Sequence, residues 1–501
     1  MNLGDTGLDV GIDLPPNGSR RVVRELHRQL RSAIVQGRLR PGLRLPATRD
    51  LASALGVSRN TVVTVYDQLL AEGYVSARGR AGTIVTEVLS PVLRPERARR
   101  ARGRELRLSP SWRIPEPLIP TGERTDRRFD FLVGIPDGQS FPSQIWRRLT
   151  GRAVRTASRL RAGYGEPEGR AALREAIAGH ISFARAIACT AEEIVVTAGA
   201  QQAFDLLARI LVTPGKTTVA VEEPGYPPLR NVLTAAGAKI VSIPVDDEGL
   251  RVDRLPATAK VICVTPSHQF PLGVHLSLAR RRALLDFARS REAVIIEDDY
   301  DGEFRYAGKP LDALQTLDHG GTVFYVGTFS KSLFPALRLG FVIAPEWARD
   351  ALVAAKQLSD WNAPLVAQET LAAFIAEGHL ARHVRKMRRL YGERREILQD
   401  ALDRFCGDRL QVIGIGAGLH LAADAHHSIS VPTLIDKASA AGLAIESMRR
   451  LLPSGRRAEG LVLGYGAIAT DRITDGIRLL ARLMKQSEAD GRRRSDYPVR
   501  Q

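Results

Sequence analysis

The sequence predicts an α/β protein in two unequal parts. A small N-terminal module of three helices and a β-hairpin precedes a large unit built on a mostly parallel sheet. Three observations predict this. Between residues 20 and 88, apolar residues recur at helical spacing and give way to two short β runs around a glycine-rich tip. Residues 89–128 are rich in proline and arginine and read as a stiff, extended linker. Over residues 129–485, short near-continuous apolar runs alternate with helical patterns, as in a sheet covered by helices on both faces.

In the first module Val22, Val23, Leu26, Leu30, Ala33 and Ile34 share one helical face, and Gly37 with Pro41 and Gly42 ends that helix. A second helix spans about 48–55 and stops at Gly56. Ser58 is placed to cap a third, which reaches Glu72 with Val62, Val65, Tyr66, Leu69 and Leu70 in its core face. Residues 74–75 and 83–85 are the hairpin strands. This is the order of a winged helix-turn-helix. The third helix would enter the major groove and offer Ser58, Arg59, Asn60 and Thr61 to phosphates and base edges. Arg49 would clamp a phosphate, and Arg78, Gly79 and Arg80 at the wing tip would follow the backbone or minor groove. The runs PGLRLPATRDLA, GVSRNTVVTVY and GRAGTIV resemble the GntR family of bacterial transcription regulators, which implies a double-stranded DNA operator as partner.

Charge agrees with that. Lys and Arg number 72 against 55 acids, a net charge of +17, and residues 1–110 hold 19 arginines, no lysine and 10 acids. The linker adds phosphate contacts or is a solvated spacer. Three distant cysteines exclude a disulfide framework and a CxxC metal site and suit a reducing cytoplasm. No HExxH spacing occurs, and no metal is expected. No apolar run is long enough for a transmembrane helix, and the first 20 residues lack a signal-peptide pattern. Residues 1–19 read as a loose arm, and the polar tail from Lys485 as frayed.

The large unit shows β-rich runs at 194–197, 218–222, 239–245, 260–265, 294–297, 323–327 and 339–344. Ligands in such sheets sit at the carboxyl ends of strands. There, Val294, Ile295 and Ile296 give way to Glu297, Asp298, Asp299 and Tyr300, and a second run gives way to Gly327, Thr328, Phe329, Ser330 and Lys331. Acids and a lysine leaving buried strands read either as a structural salt bridge or as a Schiff-base lysine with a carboxylate partner for its cofactor. Two glycine-bearing stretches are decoys. The run 214–217 lacks the leading glycine of a phosphate loop, and 414–418 reads as a turn.

The runs YGEPEGRAALREAIAGHI, VTAGAQQAFDLL, EEPGYP, TPSHQFPLG, IEDDYDGEFRY and GTFSKSLFPALRLG resemble the fold-type I aminotransferases, which use pyridoxal 5'-phosphate. A GntR module ahead of such a domain resembles the MocR group of regulators, the GabR and PdxR type. The resemblance implies Lys331 as the catalytic lysine that binds the cofactor, Asp298 against the ring nitrogen, Tyr300 at the ring 3-hydroxyl and Tyr226 on the ring face. It implies a phosphate cup of Gly199, Ala200, Gln201, Thr328, Ser330 and Arg338. Tyr164 matches a tyrosine that reaches a neighbouring subunit's phosphate, which implies a homodimer. Two departures stand out. Phe270 occupies the place of a ring-contacting asparagine, with His268 or Gln269 as substitutes, and Val462 falls where many members carry a carboxylate-binding arginine. Arg449, Arg450, Arg456 and Arg457 are near in sequence.

These readings converge on a PLP-dependent transcription regulator whose large domain binds the cofactor and an amino-compound effector or answers to PLP itself in vitamin B6 supply. Physiological turnover is not expected. The alternatives are an active aminotransferase with a tethered DNA-binding domain and a cofactor-free scaffold, the latter opposed by the intact Lys331, Asp298 and Arg338.

Overall fold

The structure is a computed structural model. It describes residues 12–15, 21–77, 82–86, 112, 127–159, 163–306, 312–414, 416–451 and 459–495. The chain divides into two compact units, Met1–Glu105 and Leu106–Gln501.

The first unit contains α1 (Arg21–Val35), α2 (Thr48–Leu55), α3 (Arg59–Ala71), β1 (Val75–Ala77) and β2 (Thr83–Val85). Leu26, Leu30, Leu51, Val62, Val65 and Leu69 are sealed from solvent in its core. Leu70, expected in that core, is instead 44% exposed, because it lies a further 100° round the helix from Leu69. The arm is not wholly loose. Ile12 is buried against the core, and the Asp13 backbone N–H donates to Gln29 Oε1 at 3.0 Å. Ser58 caps α3, its hydroxyl accepting from the Thr61 N–H at 3.1 Å. The antiparallel hairpin pairs Val75 with Val85, and Arg44 bridges to Ile84 beside it. Replacing Ser58 with alanine should cost about 1 kcal/mol of α3 stability. Faster amide exchange at Thr61 in the full chain checks this.

The second unit opens with β3 (Phe129–Asp130), α4 (Ser143–Ala157) and α5 (Ala171–Arg185). The wound region follows: β4 (Ile194–Thr197), α6 (Ala200–Leu211), β5 (Thr218–Glu223), α7 (Pro227–Ala235), β6 (Lys239–Asp246), β7 (Gly249–Leu250), β8 (Ala259–Val264), α8 (Leu278–Arg291), β9 (Val294–Asp299), β10 (Val323–Thr328) and β11 (Gly340–Ile343). Then come α9 (Glu346–Asp360), α10 (Leu365–Ala376), α11 (His379–Cys406), β12 (Leu410–Ile413), β13 (His420–Ala425), α12 (Val431–Ala440), β14 (Leu443–Ala444), β15 (Glu446–Ser447), β16 (Gly460–Gly464) and α13 (Ile473–Ser495). The polar segment after Lys485, expected to fray, continues α13 to Ser495.

The eight strands of the main sheet lie in the order β4-β11-β10-β9-β8-β5-β6-β7. The pairs from β10 through β9, β8 and β5 to β6 are parallel, whereas β11 runs antiparallel to both β10 and β4. Val195, Phe204, Leu207, Val261, Ile296 and Phe324 belong to one core cluster. Ile262, Ile295, Leu284 and Leu285 belong to another. A second sheet, β12-β13-β16-β15, is antiparallel throughout. The chain enters this unit through β3, parallel to β14, and the Gly464 N–H then donates to the Phe131 carbonyl at 2.7 Å. Among the described residues no helix is long and apolar enough to cross a membrane.

Candidate functional site

The site lies where β4, β11, β10, β9, β8 and β5 bring their ends together. In register across the sheet, Thr197 faces Gly340, Gly340 faces Thr328, and Asp298 faces Val326. Glycines make this approach possible. A Cβ on Gly340 would lie 2.8 Å from the Gly327 carbonyl and 3.0 Å from Gly199 Cα. The residues expected to hold a phosphate therefore meet. Gly199, at φ +78°, is the N-cap of α6, and its carbonyl accepts the Gln202 N–H at 3.2 Å, so the helix presents the N–H groups of Ala200 and Gln201 at its open end. Arg338 donates to the Ala198 carbonyl at 2.6 Å, and Thr328 Oγ1 donates to Ser330 Oγ at 3.0 Å.

The acids are not beyond their strand, as the sequence suggested. Strand β9 runs on through Glu297, Asp298 and Asp299, and all three are buried. Two of them have structural partners. Glu297 accepts from the Leu314 and Gln315 N–H groups, each at 2.8 Å. Asp299 lies 2.6 Å from Arg185 Nε and accepts from Tyr325 Oη at 2.6 Å. Asp298 is different: its Oδ1 is buried and has no hydrogen-bond partner among the described residues. Burial, reinforced by Asp299 and Asp301, pushes its carboxyl well above the usual aspartate range. Lys331 donates to the Gly134 carbonyl at 2.7 Å, and burial lowers its amine against the pull of Asp301 and Asp298. Gly134 allows that contact, since a Cβ there would lie 2.6 Å from Lys331 Nζ.

Tyr226 packs edge-on against Phe270 with ring centroids 5.5 Å apart, and Phe270 in turn meets Tyr300 at 6.2 Å. Gln269 spends its amide on the Pro224 and Phe270 carbonyls, at 2.8 and 2.7 Å. His268 reaches Tyr300, Nδ1 to Oη 2.9 Å. Of the two substitutes considered for the absent asparagine, His268 is thus the one in contact with an expected ring partner. Val462 is fully buried in β16 opposite Ala422 and Glu446. Tyr164 is not brought to the cup of its own chain. It is 79% exposed and rests on Trp361 at 4.2 Å. In the first unit Arg49, Ser58, Arg59 and Asn60 are exposed and Thr61 half-buried. Arg78, Gly79 and Arg80 lie outside the described residues, as do Arg456 and Arg457.

Residues 22–85 match the bacterial regulatory proteins of the gntR family, and residues 130–441 match aminotransferase class I and II. The chain is 36% identical over 486 residues to the probable rhizopine catabolism regulatory protein MocR of Rhizobium meliloti, covering 97% of each chain. This chain belongs to the MocR-type regulators. It is also 33% identical to the pyridoxine biosynthesis regulator PdxR of Corynebacterium glutamicum, over 93% of this chain and 96% of that one. Among solved structures, kynurenine aminotransferase of Pyrococcus horikoshii, crystallised with PMP, is 27% identical with a TM-score of 0.67, covering 73% and 92% of the two chains.

In this MocR-type regulator several site features escaped the sequence reading. Arg44 sits at the base of the wing, where a Cβ on Gly82 would come within 3.0 Å of its guanidinium. Glu222, next to last in β5, is buried and accepts from Thr265, and burial raises its carboxyl to about 7. Gly418, in the 414–418 turn, leaves the space that a Cβ would take from His268 and Asp301. The lysine-facing segment is braced by a buried pair, Arg394 Nη2 to Asp137 Oδ2 at 2.5 Å, with Ser140 and Gln139 N–H groups on the same carboxylate. Burial raises the Asp137 pKa, but these donors outweigh it and the net shift is downward. A depressed folded pKa contributes stability above the unfolded value of 3.8 that is lost as pH falls through the folded one. Asp137→Asn should therefore cost about 2 kcal/mol near neutrality. Chemical denaturation across pH should show the gap closing below pH about 4.

Proposed function

We propose that this chain is a DNA-binding transcription regulator whose large unit holds pyridoxal 5'-phosphate at Lys331 and uses the state of that site to bias DNA binding. The observation that carries the reading is the unpartnered, buried Asp298 Oδ1 in a site that also holds Lys331. A buried carboxylate without a cation is costly, and the cofactor's protonated ring nitrogen is the partner it fits. The donors of the cup fit the other end. The α6 N-terminus, the Thr328 and Ser330 hydroxyls and the Arg338 fork are what a phosphate dianion requires.

When bound, pyridoxal phosphate supplies an aldehyde that takes an amine and a ring that withdraws electrons. The protein does the rest. Lys331, its amine lowered by burial, offers a neutral nitrogen more readily than an exposed lysine. Asp298 would hold positive charge at the ring nitrogen, and Tyr226, 36% exposed, would meet the ring at the open side of the site with Phe270 packed edge-on behind it. The site lacks an arginine at Val462, which weighs against efficient turnover of amino acids and favours PLP, or an amino compound without that anchor, as the signal. Homologues named for rhizopine catabolism and for pyridoxine biosynthesis support regulation but point to different pathways. Tyr164, exposed and away from its own cup, supports pairing of two copies, so that two winged modules read paired half-sites.

The test uses a duplex selected by the full-length protein from a random library. Titrating PLP should change its affinity for that DNA by about 5- to 150-fold, the range of ordinary coupling energies. Equal affinity with and without PLP, in protein whose absorption shows it loaded, would refute the regulatory reading.

A further inference from the structure

Asp301, His268 and Tyr300 form a line of polar atoms that the reading above leaves unused. Nδ1 of His268 lies 3.0 and 3.2 Å from the two Asp301 oxygens and 2.9 Å from Tyr300 Oη. His268 and Asp301 are both about 2% exposed, and the Nε2 atom of His268 is buried without a hydrogen-bond partner among the described residues. Unsatisfied buried nitrogens are rare enough to need a reason. The arrangement is also rigid. A Cβ on Gly418, at φ +75°, would fall 2.0 Å from His268 Cε1 and 2.6 Å from Asp301 Oδ2. Tyr306 and Tyr465 pin the Gly418 carbonyl at 2.6 and 2.7 Å. The His268 loop is bracketed by Arg281, which donates to the carbonyls of Pro266, Leu276 and Asp312.

One nitrogen facing two oxygens imposes a choice. Nδ1 offers a hydrogen or a lone pair, never both. When Nδ1–H donates to an ionised Asp301, it cannot accept from Tyr300, and the phenol hydrogen is free to turn into the cofactor site. When Asp301 is neutral, the Nδ1 lone pair takes the phenol hydrogen and turns it away. We propose that His268, braced by Asp301, is a positioning residue that aims the Tyr300 hydroxyl and so sets the protonation of the bound cofactor. The proposal rests on the pyridoxal phosphate reading, with Tyr300 at the ring hydroxyl. The other charges facing this line are Asp298 and Asp299 on β9, Glu222 from β5, Lys331, His420 and Tyr465, together with Arg185 and Arg305, which line the same small cavity as His268 and Asp301. Burial holds His420 neutral, its Nε2 3.1 Å from the Pro271 carbonyl, so it does not compete for the proton.

The test is a pH titration of the visible absorption of full-length, PLP-loaded protein. His268→Asn and Asp301→Asn should each move the midpoint by about one pH unit or more, a tenfold change in proton affinity. In a Tyr300→Phe background, His268→Asn should move it no further. A purely structural role would lower loading without moving the midpoint. Unchanged midpoints in loaded variants overturn the proposal and leave the cofactor reading standing. Absence of any PLP band in the wild-type protein overturns the cofactor reading and this proposal with it. If His268→Asn does not fold, Asp301→Asn, which keeps the shape and removes the charge, decides. Because His268, Asp301 and His420 lie close enough to share an ion, a wild-type midpoint that shifts on EDTA treatment would overturn the proposal in favour of a metal site.

Discussion

Lys331→Ala should abolish the visible absorption of PLP-loaded protein and weaken PLP retention by about 100-fold, close to 3 kcal/mol. The proposed phosphate cup of Gly199, Thr328, Ser330 and Arg338 is untouched by the substitution, so residual, rapidly exchanging binding should remain. Two further consequences follow from the geometry. Removing the amine deprives Asp298 and Asp301 of the nearby positive charge they share, so both become harder to ionise. The Gly134 carbonyl also loses the hydrogen bond it accepts from Lys331. DNA affinity should become indifferent to PLP while its salt dependence stays that of the wild type, because the arginines proposed to contact DNA phosphates belong to the N-terminal module. Ultraviolet-visible spectroscopy, equilibrium dialysis and DNA titration at two salt concentrations check each part. A Lys331→Ala protein that keeps the band would mean that another amine holds the cofactor.

The second large effect is expected at Gly418. An alanine there meets two penalties. The left-handed backbone costs a non-glycine residue about 1–2 kcal/mol. Its Cβ would also be forced into the His268 ring and the Asp301 carboxylate, an overpacking worth about 1–3 kcal/mol. The sum is about 3 kcal/mol, and the Tyr306 and Tyr465 hydroxyls that bind the same carbonyl prevent the turn from moving aside. Gly37 is the control. It has a similar φ of +73°, and an added methyl would meet nothing within 4 Å, so Gly37→Ala should show the backbone penalty alone. Urea denaturation of the full chain distinguishes them. Equal losses at the two glycines would show that the His268 loop yields, and that the site is less rigid than its contacts imply.

Much of the molecule was legible from residues that act locally. Ser58 caps its helix because a hydroxyl just before a helical run can reach back to the N–H groups of the first turn, here that of Thr61. The strands announced themselves as apolar runs, and the motif-bearing loops followed them. What was hidden depends on pairing at a distance. Nothing in the run 340–343 says that β11 lies antiparallel between β4 and β10, since its apolar residues would suit either direction. Glu297, Asp298 and Asp299 looked like the start of a loop because acids seldom sit in a buried strand. Glu297 and Asp299 are in fact satisfied by partners 17 residues downstream and more than 100 upstream. His268 and Asp301 are 33 residues apart, and Gly418 is a further 117 along. Tyr300, adjacent to Asp301, and His268, named as one substitute for the absent asparagine, were the only members of the line that the sequence singled out. Leu70 failed for a smaller reason, the angular edge of a helical stripe.

The segment Phe129–Gly134 has a mechanical consequence. Its first two residues are β3, stitched alongside Leu443 and Ala444, and its last offers the carbonyl that holds the Lys331 amine. Everything upstream of Phe129 is therefore leashed to the lysine by six residues, a span of about 20 Å if fully extended. A pull along that leash loads the β3–β14 bonds and the Gly464 bond in shear, where several break only together. Beyond them come two isolated bonds, from the Val133 N–H to Glu446 Oε1 at 3.4 Å and from Lys331 to the Gly134 carbonyl, and a ligand that took up the Lys331 amine would release the second of them.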